Sequence, residues 1–470
     1  MVEQNAVLGT TVSAADKPTG SGKDSLPEIR ETEPTSVGRR SYVPPYFMLV
    51  VVGLVILLIM HRRLGRRVEL SPRSPLVVPP QEKPERDDWG MGSLEYFEQT
   101  IPELAVGKRA LAAWASASGG FVKSEKAEEY GRALAHALSK GSQHSLVGMV
   151  VALQDVQPWD MSVTERPAPQ LLRVTEVVAY SRWNLLVNVE DIVTREEYSA
   201  HIPMIRDGGE DVDKVQIQYS VEQERESIIQ AVGKTPAALA ASQKGISVPQ
   251  YTGRISGLDE FHTVGNFQIV GIATLMERAV GSLQNLIRTA KDVVQQARDY
   301  IAVRLVYIAL KLEHSGVGHL QFDWDSLFVH RDGSFLLGNF ASAAPFGECI
   351  YPFKAFVTHP AEPSMMMAFD NSGVYTPEAK TNMWSVGILL YQLYTGDENP
   401  LGRVEQWPAD GCLLSQCMLG RQLDSETILE NLKSANVPRR WVELILRLSE
   451  PDRRRRIGGF QVLREFDDLL

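Results

Sequence analysis

Gly318-His319-Leu320-Gln321-Phe322-Asp323-Trp324-Asp325-Ser326-Leu327-Phe328-Val329 is followed ten residues later by Asn339-Phe340-Ala341. Residues 327–330 and 334–338 read as short apolar strands joined by a turn at Arg331-Asp332-Gly333. Upstream, 292–313 predicts an amphipathic helix. Its apolar positions Val294, Ala297, Ile301, Leu305, Ile308 and Leu312 are three and four apart, and Gly316 and Gly318 stop it. Downstream come Thr376-Pro377-Glu378, then Asn382-Met383-Trp384-Ser385-Val386-Gly387, then Arg454 to Arg456 ahead of a last helix over 460–469.

The chain has 470 residues, room for two or three domains or one large two-lobed unit. Its 44% hydrophobic and 23% charged content is ordinary for a globular protein. A net charge of −10 argues against general nucleic-acid binding, which usually shows a basic face. Cys349, Cys412 and Cys417 are too few for a disulfide scaffold. The spacing of Cys412 and Cys417 allows one bridge, with buried free thiols as the alternative.

Residues 1–45, rich in Ser, Thr, Gly, Glu and Pro without apolar periodicity, predict a disordered segment. Residues 46–60 are fifteen uncharged residues closed by His61-Arg62-Arg63 and Arg66-Arg67. A span wants about 20 apolar residues and a signal-peptide core about 7–15. Two readings stay open. One is a membrane anchor whose arginines keep residue 61 onward on the cytoplasmic side. The other is a secretory segment, more natural if translation begins at Met48. Residues 61–92 are a basic, Pro-rich linker. Residues 93–165 are expected to be a helical extension, with helices at 102–116 and 124–139 separated by Ser118-Gly119-Gly120.

From Leu171 the pattern turns strand-like over 171–180, 184–189 and 198–205, and there is no glycine between Met149 and Asp207. Residues 220–230 read as a helix bearing Glu222, Glu224 and Glu226. A strand over 267–274 leads to Met276-Glu277-Arg278-Ala279, and a short helix follows over 281–289.

These spacings resemble the protein kinase fold over about 166–470, with an N-lobe at 166–278 and a C-lobe at 279–470. The implied fold class is α+β: a small N-lobe sheet on a helical C-lobe, with an N-terminal helical extension and the hydrophobic segment. In that pattern the catalytic loop carries Asp, Lys and Asn, and the metal motif is Asp-Phe-Gly. Here those slots hold Gln321, Asp323, Ser326 and Asn339. The strand that usually carries the phosphate-gripping Lys reads Tyr198-Ser199-Ala200-His201-Ile202-Pro203, with His201 in the Lys slot. A neutral imidazole is a poor phosphate clamp. One of Glu222, Glu224 and Glu226 would be the acidic partner of that slot. Met276, Glu277 and Ala279 would form the hinge of a degenerate ATP site, Arg454 to Arg456 would include the partner of Glu378, and Asn382 would accept a backbone hydrogen bond.

In its details the chain is similar to the rhoptry kinases of apicomplexan parasites, particularly to their catalytically degenerate members. The resemblance implies a non-catalytic interaction protein, a pseudokinase. It would bind a protein partner such as an active kinase or host factor, with no cofactor, no metal and no nucleic acid. Membrane contact would run through 46–60, and the location would be the secretory pathway, the rhoptry or a membrane. The segment 342–375, with Phe346, Tyr351, Phe353, Phe356 and Met365-Met366-Met367, is a candidate partner surface, with folding back onto its own C-lobe as the alternative. Two alternatives stand beside this. One is an atypical kinase that binds ATP and Mg²⁺, with Asp323 or Asp325 as a displaced base. The other is a receptor-like membrane protein with an intracellular pseudokinase.

Overall fold

The computed structural model describes Trp89, Met91, Leu94, Glu98, Phe121, Ile350 and residues 101–117, 125–139, 145–159, 167–181, 184–206, 214–233, 235–348, 362–365, 375–396 and 425–470. The segments 1–45 and 46–60 lie outside these, as do most of 61–92 and Tyr351, Phe353 and Phe356. Among the described residues no helix is long and apolar enough to cross a membrane.

Among the helices described in full, α1 (Pro102–Ala117) and α2 (Glu125–Ser139) come first. The smaller lobe is built from β1 (Val150–Pro158), β2 (Leu171–Ser181), β3 (Asn184–Asp191), β4 (Glu197–Arg206), α3 (Lys214–Val232), α4 (Ala237–Lys244), β5 (Tyr251–Ile255), β6 (Phe261–Val264), β7 (Phe267–Val270) and β8 (Ile272–Glu277). The larger lobe runs through β9 (Gly281–Ser282), α5 (Leu283–Thr289), α6 (Lys291–Ser315), β10 (Val317–His319), β11 (Leu327–Val329), β12 (Phe335–Leu337), β13 (Ala343–Pro345), α7 (Thr381–Thr395), α8 (Ser425–Ser434), α9 (Arg439–Leu448) and α10 (Gly459–Glu465).

The stretch 93–165, expected to be helical, is not helical throughout: β1 occupies its end. β1 pairs with β2 on one side and β5 on the other, while β3 pairs with β2 and β4, β4 with β8 and β8 with β5. The six strands therefore close on themselves as an antiparallel barrel, which removes the free edges an open sheet would present. Alternation along each strand sorts the side chains. Leu153, Leu172, Val187, Ala200, Ile202 and Leu275 fill the barrel, whereas Leu186 and His201 point out of it toward the second lobe. The strand expected over 267–274 is interrupted at Gly271, and β6 and β7 form a hairpin attached to the end of β4.

The larger lobe is organised around α6. Only one stripe of it was expected to be apolar, yet it is buried on all sides from Tyr300 to Leu310. The extra cover comes from α1, which lies so close that a Cβ on Gly107 would sit 2.5 Å from the Tyr300 Cβ. Glu98, just before α1, ion-pairs with Arg304 in the middle of α6 and accepts from Lys108 Nζ at 3.0 Å. Both Glu98 and Arg304 are buried, at 6% and 3% exposure.

A second buried charge cluster ties residues 362–381 to the end of the chain. Arg456, fully buried, donates to Glu362 at 2.6 Å, and Arg453 and the Tyr375 hydroxyl reach the same carboxylate. Burial alone would raise the Glu362 pKa, but Arg456 and Arg453 hold it below the usual range. The partner of Glu378 is Arg453, at 2.9 Å, not a residue of 454–456, and Glu378 is largely exposed. Met365, expected on a partner surface, is buried.

Removing one member of a buried ion pair strands the other without water and typically costs about 3–5 kcal/mol. Glu98→Ala should therefore lower the urea midpoint by an amount of that order. The double change Glu98→Leu with Arg304→Met, which strands no charge, should recover most of it.

Candidate functional site: the interlobe cleft

The catalytic-loop slots sit between β10 and β11. His319 is fully buried. Its backbone N–H donates to Asn382 Oδ1 at 2.9 Å, its Nε2 lies 2.9 Å from the Gly338 carbonyl, and Phe340 packs edge-on at 4.9 Å. Asn382 also donates to the Val317 carbonyl at 2.7 Å, so its amide joins α7 to both ends of β10. The expected backbone acceptor at Asn382 is thus present.

Gln321 and Asn339, in the base slot and the metal slot, are bonded to each other. Asn339 Nδ2 donates to Gln321 Oε1 at 2.9 Å, and both residues are buried. Asn339 has φ 60°, a left-handed conformation that Asn tolerates better than most residues. Two amides can form this bond because one donates and the other accepts. Two carboxylates so placed would repel unless a proton or a cation lay between them.

Asp323 caps the 3₁₀ turn Trp324–Ser326, accepting from the Ser326 N–H at 2.9 Å, so its carboxylate already serves the loop. Asp325, the other candidate displaced base, is exposed. Ser326 is fully buried.

His201 lies on β4 between Leu186 of β3 and Thr274 of β8. Its ring meets Phe328 edge-on at 6.1 Å and its Nδ1 makes no hydrogen bond. Burial pushes its pKa down to about 4, so the ring is neutral near pH 7. None of Glu222, Glu224 and Glu226 lies on the inward face of α3. Gln223, Ser227 and Ile228 do, because the helical period turns the acidic positions outward, leaving Glu222 and Glu226 exposed and Glu224 partly so.

The hinge is equally committed. The Ala279 N–H donates to the Ser199 hydroxyl at 3.1 Å, and that hydroxyl donates to Asn188 Oδ1 at 2.8 Å. Met276 is buried with its sulfur 3.6 Å from Ser247 Oγ. Glu277 is exposed, 3.6 Å from His330 Nδ1. The Phe328 ring rises from β11 against Gly338, where an added Cβ would come within 2.7 Å of it, and joins Phe121, Val178, Leu186 and Ala279 in one apolar cluster. The gap lined by Leu186, Ser199, His201, Met276, Ala279 and Phe328 amounts to about 10 Å³. A single water needs about 10–15 Å³, so a nucleotide base does not fit.

The residues present do not suit Mg²⁺–ATP. No cationic side chain occupies the His201 position, the hinge amide is taken, and Gln321, Ser326 and Asn339 offer only neutral groups. Mg²⁺ is ordinarily held through one or two carboxylates. Among the described residues no group of three or more His, Cys, Asp or Glu could hold a metal ion.

Residues 266–431 match a family model described as kinase-like. The chain has a kinase-like fold. No curated protein matches it by sequence. Three solved structures from Toxoplasma gondii share the fold. A specific rhoptry antigen kinase domain is 16% identical, with TM-score 0.52, over 80% of this chain and 95% of that one. ROP2, a virulence factor with a protein-kinase fold and no enzymatic activity, is 16% identical, with TM-score 0.53, over 80% and 94%. The ROP18 kinase domain in complex with AMP-PNP and sucrose is 17% identical, with TM-score 0.54, over 78% and 94%. The likeness expected from short motifs is thus found at the level of the fold.

Ser199, Phe328, Phe121, Gln223 and Glu362 were not singled out from sequence. Ser199 was legible in principle, since it lies one strand period from His201 on the same face. Phe121 is a lone aromatic between two helices, and nothing local announces its packing.

Because His201 has an unfolded-state pKa near 6.5 and a folded value of about 4, the unfolded chain binds the proton first as pH falls. Stability supplied by the neutral ring is complete above about pH 6.5 and is lost between there and pH 4, up to about 3 kcal/mol. Urea midpoints from pH 7.5 to 4.5 should fall less steeply for His201→Leu than for the wild type.

Proposed function

We propose that this chain is a non-catalytic, rhoptry-type member of the kinase-like proteins that works by binding a protein partner, such as an active kinase or a host factor. The Gln321–Asn339 hydrogen bond carries the reading. The two positions that would hold a base and a metal-binding carboxylate are bonded to each other and neither is anionic, so those two slots supply neither a general base nor a charged metal ligand. Phosphoryl transfer rests on positioning and electrostatic stabilisation, and both are missing.

The description of ROP2 as a kinase fold without enzymatic activity supports the same assignment here. Delivery to the secretory pathway or a membrane is assigned to the apolar run 46–60, the one segment with the composition for it.

The competing reading is a protein that still holds nucleotide, as the ROP18 kinase domain holds AMP-PNP. A thermal-shift titration of the full chain with ATP plus Mg²⁺ or Mn²⁺ separates the two. Binding to the folded state alone adds about 2.7 kcal/mol at a hundredfold excess over Kd. The expected result is no saturable shift at millimolar nucleotide and no transfer of labelled phosphate. A saturable metal-dependent shift overturns the filled cleft, and transfer of label overturns the non-catalytic assignment.

A further inference from the structure

A cavity of about 310 Å³ lies on the larger lobe, between α5, the start of α6, Trp324 and the end of α7. This is within the size range of small-molecule sites, about 300–1,000 Å³. Its lining includes Lys291, Gln295, Arg298, Trp324, Gln392 and Tyr394.

Two cations in this wall have no ion-pair partner among the described residues, Lys291 and Arg298. The described carboxylates elsewhere draw arginines into pairs, as at Glu98, Glu197, Glu362 and Asp468. Arg298 Nε is buried and makes no hydrogen bond. Its guanidinium is held over the Tyr394 ring at 5.0 Å, which fixes its orientation. Trp324 Nε1 already donates to Gln392 Oε1 at 2.9 Å, so the indole contributes chiefly its apolar surface. Three carboxylates neighbour the lining in sequence, Asp292, Asp299 and Asp325; Asp299 accepts the Tyr394 hydroxyl at 3.4 Å, and none of the three is ion-paired with Lys291 or Arg298. Lys291 opens the 25-residue helix α6, whose N-cap residue, Ala290, makes no side-chain cap. Asp292 in the first turn offsets the positive end of the helix dipole, so an anion here would rest on the two side chains.

We propose that this cavity binds a small organic anion, its phosphate or carboxylate held by Arg298 and Lys291 and its flat apolar body against Trp324. A planar guanidinium pairs with either acid group through two parallel hydrogen bonds. The assignment is independent of the nucleotide cleft.

Calorimetric titration of the full chain with phenyl phosphate tests it, with benzyl alcohol as the neutral comparison and inorganic phosphate as the anion alone. Phenyl phosphate should bind at one site with Kd of about 1 mM or tighter. Arg298→Gln should weaken it by about tenfold or more, and Lys291→Gln, at an exposed helix start, by a smaller factor. Both variants should melt with the wild type. Benzyl alcohol should give no saturable heat, and inorganic phosphate should bind more weakly than phenyl phosphate. The proposal is overturned if phenyl phosphate shows no saturable binding, if both variants bind it as the wild type does, or if benzyl alcohol binds equally well. N-acetyl phosphotyrosine amide distinguishes the source. Equal, Arg298-dependent binding places the anion on a protein side chain, and weaker binding of that probe assigns the site to a free molecule.

Discussion

A cleft between two lobes stays open to water only while it presents charges that water or a ligand must solvate, and this cleft has almost none. His201 is neutral and buried, Gln321 and Asn339 are uncharged and bonded to each other, and Ser199 takes the hinge amide. What remains facing inward is apolar, chiefly Leu186, Ala279 and Phe328, and such surfaces gain by meeting. The lobes are therefore held by the same kind of packing that holds each lobe, with a residual gap of about 10 Å³. Side chains from both lobes, chiefly Leu186, Ala279 and Phe328, meet across the joint.

The segment before β1 belongs to that closure. Phe121 enters the interlobe cluster, the Trp114 ring lies against Gly281 beside the hinge, and Glu98 compensates Arg304 inside the larger lobe. Meanwhile α2 packs on the barrel, with Tyr130 stacked on Tyr180 at 3.7 Å. One short stretch of chain thus contacts both lobes and the joint between them. Relative motion of the lobes would have to expose an aromatic ring and disturb the packing around a buried ion pair, so the extension works as a brace.

Much of this was legible where the pattern is local. The helix over 292–313, the hairpin that delivers Asn339, the helix beginning near Asn382 and the substituted slots are all read from spacing within about thirty residues. What escaped depends on contacts between distant segments. The closure of the barrel by β1 needs β2 and β5 as neighbours, and the burial of Arg304 needs Glu98, more than two hundred residues earlier. The acidic residues near 222–226 were expected to serve the His201 slot, but helical phase turns them outward and leaves Gln223 and Ser227 as the buried positions. The pairing of Arg456 with Glu362 rather than Glu378 likewise follows from burial, because the buried guanidinium needs the carboxylate that is itself buried.

The structural half of the kinase pattern and the chemical half have different physical requirements, which is why one can persist without the other. His319, Asn382 and Phe340 form a hub by hydrogen bonds and ring packing, and none of these contacts needs a charge. Asn382 performs with one amide both the accepting and the donating bond that link α7 to β10. At Gln321 and Asn339 the change from carboxylate to amide acts in the opposite sense from damage. Two carboxylates at that separation would raise the pKa of one of them or require a cation, whereas the amides make a direct bond and leave no net charge to solvate. The contacts that shape this loop are therefore hydrogen bonds and ring packing that need neither nucleotide nor metal.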